Sequence, residues 1–170
     1  MPAVLPPPFR IFLLRHASAD WAKPGETDFD RALNGHGYAE AEVVADKALD
    51  KGYRPDLVLS STARRCRETA DALARGLCGM DVPFRFIDAL YNAPVETYLE
   101  LLQSSGPAAS VMMIGHNPAM EELLHLLAGG DVLASAIPQG YPPAGLAVLD
   151  AITGNDDTRA GWHLVDFVAA

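Results

Sequence analysis

Four side chains in this sequence have the makings of a site for a negatively charged group. The run FRIFLLRHASADW places Arg15 and His16 directly after an apolar stretch of strand length. A cation and a titratable imidazole are costly to desolvate there unless a partner offsets the loss. SVMMIGHNPAM repeats the arrangement with Gly115 and His116, and LVLSSTARRCRETA follows another apolar run with Ser60, Ser61, Thr62 and a group of arginines. Arg64 has Glu68 four residues on, Arg67 has Asp71, and Arg75 has Asp71 four residues back, the spacing at which helical side chains pair. Arg65 has Thr69 at that spacing, which leaves it as the arginine available to a ligand. The first helical turn around it also exposes backbone amides that favour an anion. Two cations and two imidazoles brought into one crevice repel one another unless an anion lies between them, and a phosphoryl group is such an anion.

These residues meet only if the elements that carry them are neighbours. Residues 9–14, 56–60, 83–87 and 110–115 read as strands, and GLAVLDAI and GWHLVDFV as two more around a turn TGNDD. Helices are predicted over 34–51, 63–77 and 95–103, and from an Asn117 cap and Pro118 to a stop at Gly129. Ala39, Val43, Ala45 and Leu49 suggest the buried face of the first helix; Ala63, Cys66, Ala70, Leu73 and Leu77 form the stripe of the second. This alternation predicts an α/β three-layer sandwich, a mostly parallel sheet with helices on both faces. Ligands of such sheets bind beyond the carboxyl ends of the strands, where Arg15-His16, Ser60-Ser61-Thr62 and Gly115-His116 all fall. Arg64, Arg67 and Arg75 read as a solvated helix face, and His36, His125 and His163 as structural residues.

With 170 residues, 49% of them apolar, the chain has the size of one domain over 1–170, with the Pro-rich residues 1–8 expected as a flexible lead-in. Thirteen basic and twenty-two acidic residues give a net charge of −9, which opposes binding to nucleic acid or to an anionic membrane. Cys66 and Cys78 show no paired spacing, so neither a disulfide framework nor a zinc site is expected. The start MPAVLPPPF carries no basic leader, and no window reaches the roughly 18 apolar residues of a spanning helix. A cytoplasmic location is the expectation.

LLRHASADW resembles the RHG or RHA signature of the histidine phosphatase superfamily. DFDRALNGHG, LVLSSTARRCRETA, MMIGHNPAM and YPPAGLAVLD resemble the segments that follow it in that superfamily, within which the chain looks most similar to the small SixA-type phosphohistidine phosphatases. The resemblance implies a phosphoglycerate-mutase-like fold. It also implies that His16 is a nucleophile that becomes transiently phosphorylated, that Arg15 and Arg65 bind the phosphoryl oxygens, and that His116 is a second imidazole donating to the same group. No metal or cofactor is implied, and phosphate or sulfate is the expected small ligand of the site.

Two positions depart from the pattern. Where many members place a Glu or Asp that acts as general acid, in DALYNAP, this chain has Asn92; Asp88 and Glu96 are the nearby carboxylates that could serve instead. Pro143 stands where SixA-like chains tend to have Thr. An alkoxide leaves badly without a proton, whereas imidazole is a far better leaving group. The expected partner is therefore a phosphorylated protein, such as a histidine phosphotransfer domain. The alternatives are a small phosphorylated metabolite, cleaved by the same residues, and a module that binds phosphoproteins without turnover.

Overall fold

The computed structural model describes residues 3–152 and 161–170; the turn TGNDD lies outside them. Six strands form one mixed sheet: β1 (Arg10–Arg15), β2 (Leu57–Ser61), β3 (Phe84–Ile87), β4 (Ser110–Gly115), β5 (Leu146–Ala151) and β6 (Trp162–Val168). Their order is β3-β2-β4-β1-β5-β6. The first four are mutually parallel, while β5 runs antiparallel to β1 and β6 antiparallel to β5. The helices are α1 (Gly35–Asp50), α2 (Arg64–Gly76), α3 (Val95–Gln103), α4 (Ala119–Ala128) and α5 (Gly130–Ala136).

Period-two alternation explains why the central strands are apolar throughout. Ile11, Leu13, Val111 and Met113 pack on one face with Leu99, Leu102, Met120 and Leu123 of α3 and α4. Phe12, Leu14, Met112 and Ile114 pack on the other with Val44, Ala48, Cys66 and Leu73 of α1 and α2. The result is an α/β sandwich with helices on both faces, as the alternation of elements implied.

Several local expectations are corrected. The stripe of α2 is buried as expected, but α1 buries Gly37, Ala41, Val44, Ala45 and Ala48 and leaves Val43 exposed. The backbone comes close on that face: a Cβ on Gly37 would lie 2.0 Å from the carbonyl oxygen of Ser18. The helix stops at Gly129 as expected, at φ +93, but a further short helix that the sequence did not suggest, α5, starts directly after it. The described part of the lead-in is not free, because Val4 is buried in the core and its carbonyl accepts from Trp162 Nε1, while Gln103 Nε2 donates to Ala3 O. No described helix is long and apolar enough to cross a membrane.

The parallel register aligns the ends of three adjacent strands. Arg15 pairs with Gly115, and Ser60 with Ile114, so β1, β4 and β2 deliver their last residues to one edge. Gly115 is required there, since a Cβ would lie 2.3 Å from the hydroxyl of Tyr98, a fully buried ring with nowhere to retreat. Gly115→Ala is expected to cost about 1–3 kcal/mol of stability, as overpacking does, read from urea unfolding. Wild-type stability in that variant would show that the contact is not a packing constraint.

Candidate active site

Beyond the ends of β1, β4 and β2 lies an open crevice of about 630 Å³ whose lining includes Arg15, His16, Arg65 and His116. The four sequence-derived residues are thus brought together. The rings of His16 and His116 sit 5.4 Å apart at 62°.

Each is held by groups from other elements. His16 Nδ1 lies 2.7 Å from the carbonyl of its neighbour Ala17; a carbonyl only accepts, so Nδ1 carries the hydrogen and Nε2 keeps its lone pair. Thr69 fixes that carbonyl's residue, because its Oγ1 accepts from Ala17 N while donating to Arg65 O. His116 is positioned through its backbone N–H, which donates to Tyr98 Oη, and through Nε2, 2.9 Å from Ser61 Oγ. Arg15 donates from a terminal nitrogen to Tyr141 O at 2.5 Å, and the Tyr141 hydroxyl in turn donates to Leu13 O.

Arg65 lacks a helical acid partner, as its spacing implied, but it has a distant one. Its terminal nitrogens donate to the carbonyl of Asp28 at 2.7 Å and to the Asp28 carboxylate at 3.2 Å. The same carboxylate accepts from Arg31 at 2.9 Å and from Tyr91 Oη at 2.6 Å. Nothing in the sequence singled out Asp28, because its partners lie 37 and 63 positions away in Arg65 and Tyr91. Among the other arginines, Arg64 pairs with Glu68. Arg75 reaches Glu42 on α1 instead of Asp71, and Arg67 lies over the ring of Phe86.

The electrostatics follow from burial among cations. His16 is pushed down to about 3, first by burial and then by His116, Arg65 and Arg15. His116 is pushed down to about 4, again by burial first, then by Arg65. Burial also lowers the pKa of Arg15, against Glu121 and Glu40. Asp28 is held well below the usual carboxylate range by the Tyr91 hydroxyl and by Arg31. Arg15 and Arg65 each keep a buried Nε–H without a hydrogen-bond partner, a donor that a bound oxyanion could satisfy.

The two carboxylates proposed as acids stay outside. Asp88 begins a 3-10 turn and Glu96 lies in the first turn of α3; both are exposed, and neither lines the crevice. Asn92 does line it, in a left-handed conformation at φ +55. The carboxylate that reaches the lining is Glu122, in the first turn of α4, which motif spacing did not suggest. His36, His125 and His163 are exposed and lie off the crevice. Pro143 belongs to the Tyr141–Gly145 segment, which acts through its backbone: Ala144 N donates to His16 O, and Arg15 N to Gly145 O.

Comparison with known proteins gives the family and the fold. The family model of the histidine phosphatase superfamily (branch 1) matches residues 11–93. A crystal structure from Agrobacterium tumefaciens, of a protein with the provisional name phosphohistidine phosphatase SixA, is 51% identical with a TM-score of 0.87 over 96% of this chain and 99% of that one. A protein histidine phosphatase SixA complexed with tungstate shares the fold at 21% identity and TM-score 0.72, over 94% and 96% of the two chains. An uncharacterised chloroplastic protein of Arabidopsis thaliana is 35% identical over 66% of this chain, which spans 56% of that relative's length.

Because both imidazoles are held below the ordinary histidine value of about 6.5, the unfolded chain binds more protons than the fold between about 6.5 and 4. Stability is therefore full above that window and falls as pH drops through it. The slope is up to about 1.4 kcal/mol per pH unit for each histidine. His16→Asn should remove one histidine's share, measured by denaturant unfolding between pH 7 and 5. An unchanged slope would mean that His16 is charged in the folded protein.

Proposed function

We propose, from the premise that this chain belongs to the histidine phosphatase superfamily and is a phosphatase, that it hydrolyses phosphohistidine on a protein through a covalent intermediate on His16. A histidine phosphotransfer domain is the candidate carrier. The observation that carries this reading is the His16 ring: its Nδ1–H is taken by the Ala17 carbonyl, which leaves Nε2 bare in a crevice with two guanidiniums and a second imidazole. A neutral imidazole is an effective nucleophile near pH 7.

In the first step the Nε2 lone pair attacks phosphorus as the P–N bond to the substrate imidazole breaks. The electron pair leaves on the imidazole nitrogen, which is protonated from water. In the second step water attacks the phosphoryl group on Nε2, that P–N bond breaks, and orthophosphate leaves as the water proton passes to solvent. Arg15, Arg65 and His116 act as fixed donors to the phosphoryl oxygens and offset charge as the group moves. The guanidiniums supply the positive charge that divalent ions give in other phosphoryl-transfer sites, so activity is expected to survive a chelator.

A second reading, a phosphomonoesterase for a small metabolite, has Glu122 in its favour, since that carboxylate on the crevice could protonate an alkoxide. The two readings separate on a substrate panel. Phosphohistidine protein and phosphoramidate should be cleaved well, p-nitrophenyl phosphate modestly and alkyl phosphates barely. Acid-quenched enzyme should carry phosphate on His16, and His16→Ala should abolish turnover. Efficient alkyl phosphate hydrolysis with phosphohistidine untouched would reject the first reading in favour of the second, and binding without turnover would reject both.

Arg65→Ala should cost roughly 2 to 4 kcal/mol in transition-state stabilisation, the order seen when one preorganised donor is lost. Arg64→Ala should cost little, because that side chain is half-exposed and pairs with Glu68. Equal losses in kcat/KM at the two positions would sink the assignment of the phosphate clamp.

A further inference from the structure

Trp21 is 87% exposed, yet it stands on the lining of the crevice. The loop that presents it is pinned. Ala19 and Leu33 form an antiparallel bridge, Asn34 N donates to Ser18 O, and Asn34 Nδ2 donates to Asp20 Oδ1. Arg31 lies against the indole with its guanidinium carbon 5.3 Å from the ring centroid. It is itself held, donating from Nε to Asp20 O at 2.7 Å and from a terminal nitrogen to Asp28 at 2.9 Å. A large aromatic side chain is thus kept in water on a rigid mount. The Asp28 carboxylate under that mount is the one that also holds Arg65.

We propose that Trp21, backed by Arg31, is the docking platform for the polypeptide that carries the phosphohistidine; this rests on the function proposed above. A crevice of about 630 Å³ leaves room for more than a phosphoryl group. A site for a small metabolite would enclose its ligand within buried walls. Trp21 instead faces outward, where a protein surface can cover it, and Trp and Arg are the side chains that most often anchor protein interfaces. The pinned loop lowers the ordering cost of such docking. Through Asp28, a carrier seated on the rim is tied to the arginine that faces its phosphoryl group.

The experiment compares Trp21→Ala and Trp21→Phe on three substrates: a phosphotransfer domain phosphorylated with phosphoramidate, free phosphohistidine, and phosphoramidate itself. Trp21→Ala should lower kcat/KM on the phosphorylated domain at least about tenfold more than on either small substrate, chiefly through KM, with Trp21→Phe recovering most of the loss. A loss equal across all three substrates, or none on the domain, overturns the platform while leaving the phosphohistidine reading intact. A loss shared by the domain and free phosphohistidine alone also overturns it and makes the occupant a single ring. Wild-type enzyme inactive on both phosphohistidine substrates overturns the underlying reading, and the platform with it.

Discussion

Positive charge is concentrated at one edge of the sheet, and the need to keep two imidazoles neutral beside it governs the rest of the site. Arg15 and Arg65 disfavour a proton on either ring, and burial disfavours it further. A neutral ring must then be told which nitrogen bears its hydrogen. The Ala17 carbonyl does this for His16. Were Nδ1 the bare atom, it would face that carbonyl lone pair to lone pair, and Nε2 would carry the hydrogen in place of its lone pair.

The neighbours are better understood as a frame for this arrangement than as separate stabilising contacts. Thr69 ties the turn after His16 to the backbone of Arg65. Tyr141 reaches Arg15 with its carbonyl and β1 with its hydroxyl, and Tyr98 takes the backbone N–H of His116. Asp28 contacts both Arg65 and Arg31 through one carboxylate. Buried or half-buried polar groups of this kind are costly when left half-satisfied and rigid when complete. A rigid frame matters for phosphoryl transfer, in which the protein contributes mainly position and fixed charge.

The same frame bears on substrate choice. Asn92 stands on the crevice wall, while Asp88 and Glu96 remain outside. On the function proposed above, a donor set rich in cations and poor in proton donors suits phosphoryl groups whose carriers leave without help. Glu122 is the exception on the lining, brought there because α4 starts just after β4, the strand that His116 follows.

Much of this was legible in the sequence because it depends on short-range pattern. Apolar runs of strand length, the stripe of α2 and the polar residues at three strand ends are local, and parallel pairing of β1, β4 and β2 is enough to gather Arg15, His16, Arg65 and His116. Arg65 could be singled out from its neighbours because helical spacing tells which arginines have acids within reach. What only the tertiary structure decided involves partners distant in sequence or determined by close approach. Asp28 meets Arg65 across 37 positions and Tyr141 meets Arg15 across 126. The buried face of α1 includes Gly37, where a Cβ would lie 2.0 Å from the carbonyl oxygen of Ser18. Hydrophobic periodicity records which side of an element avoids water, but it does not record how near another backbone will come or which distant carboxylate will face a buried guanidinium.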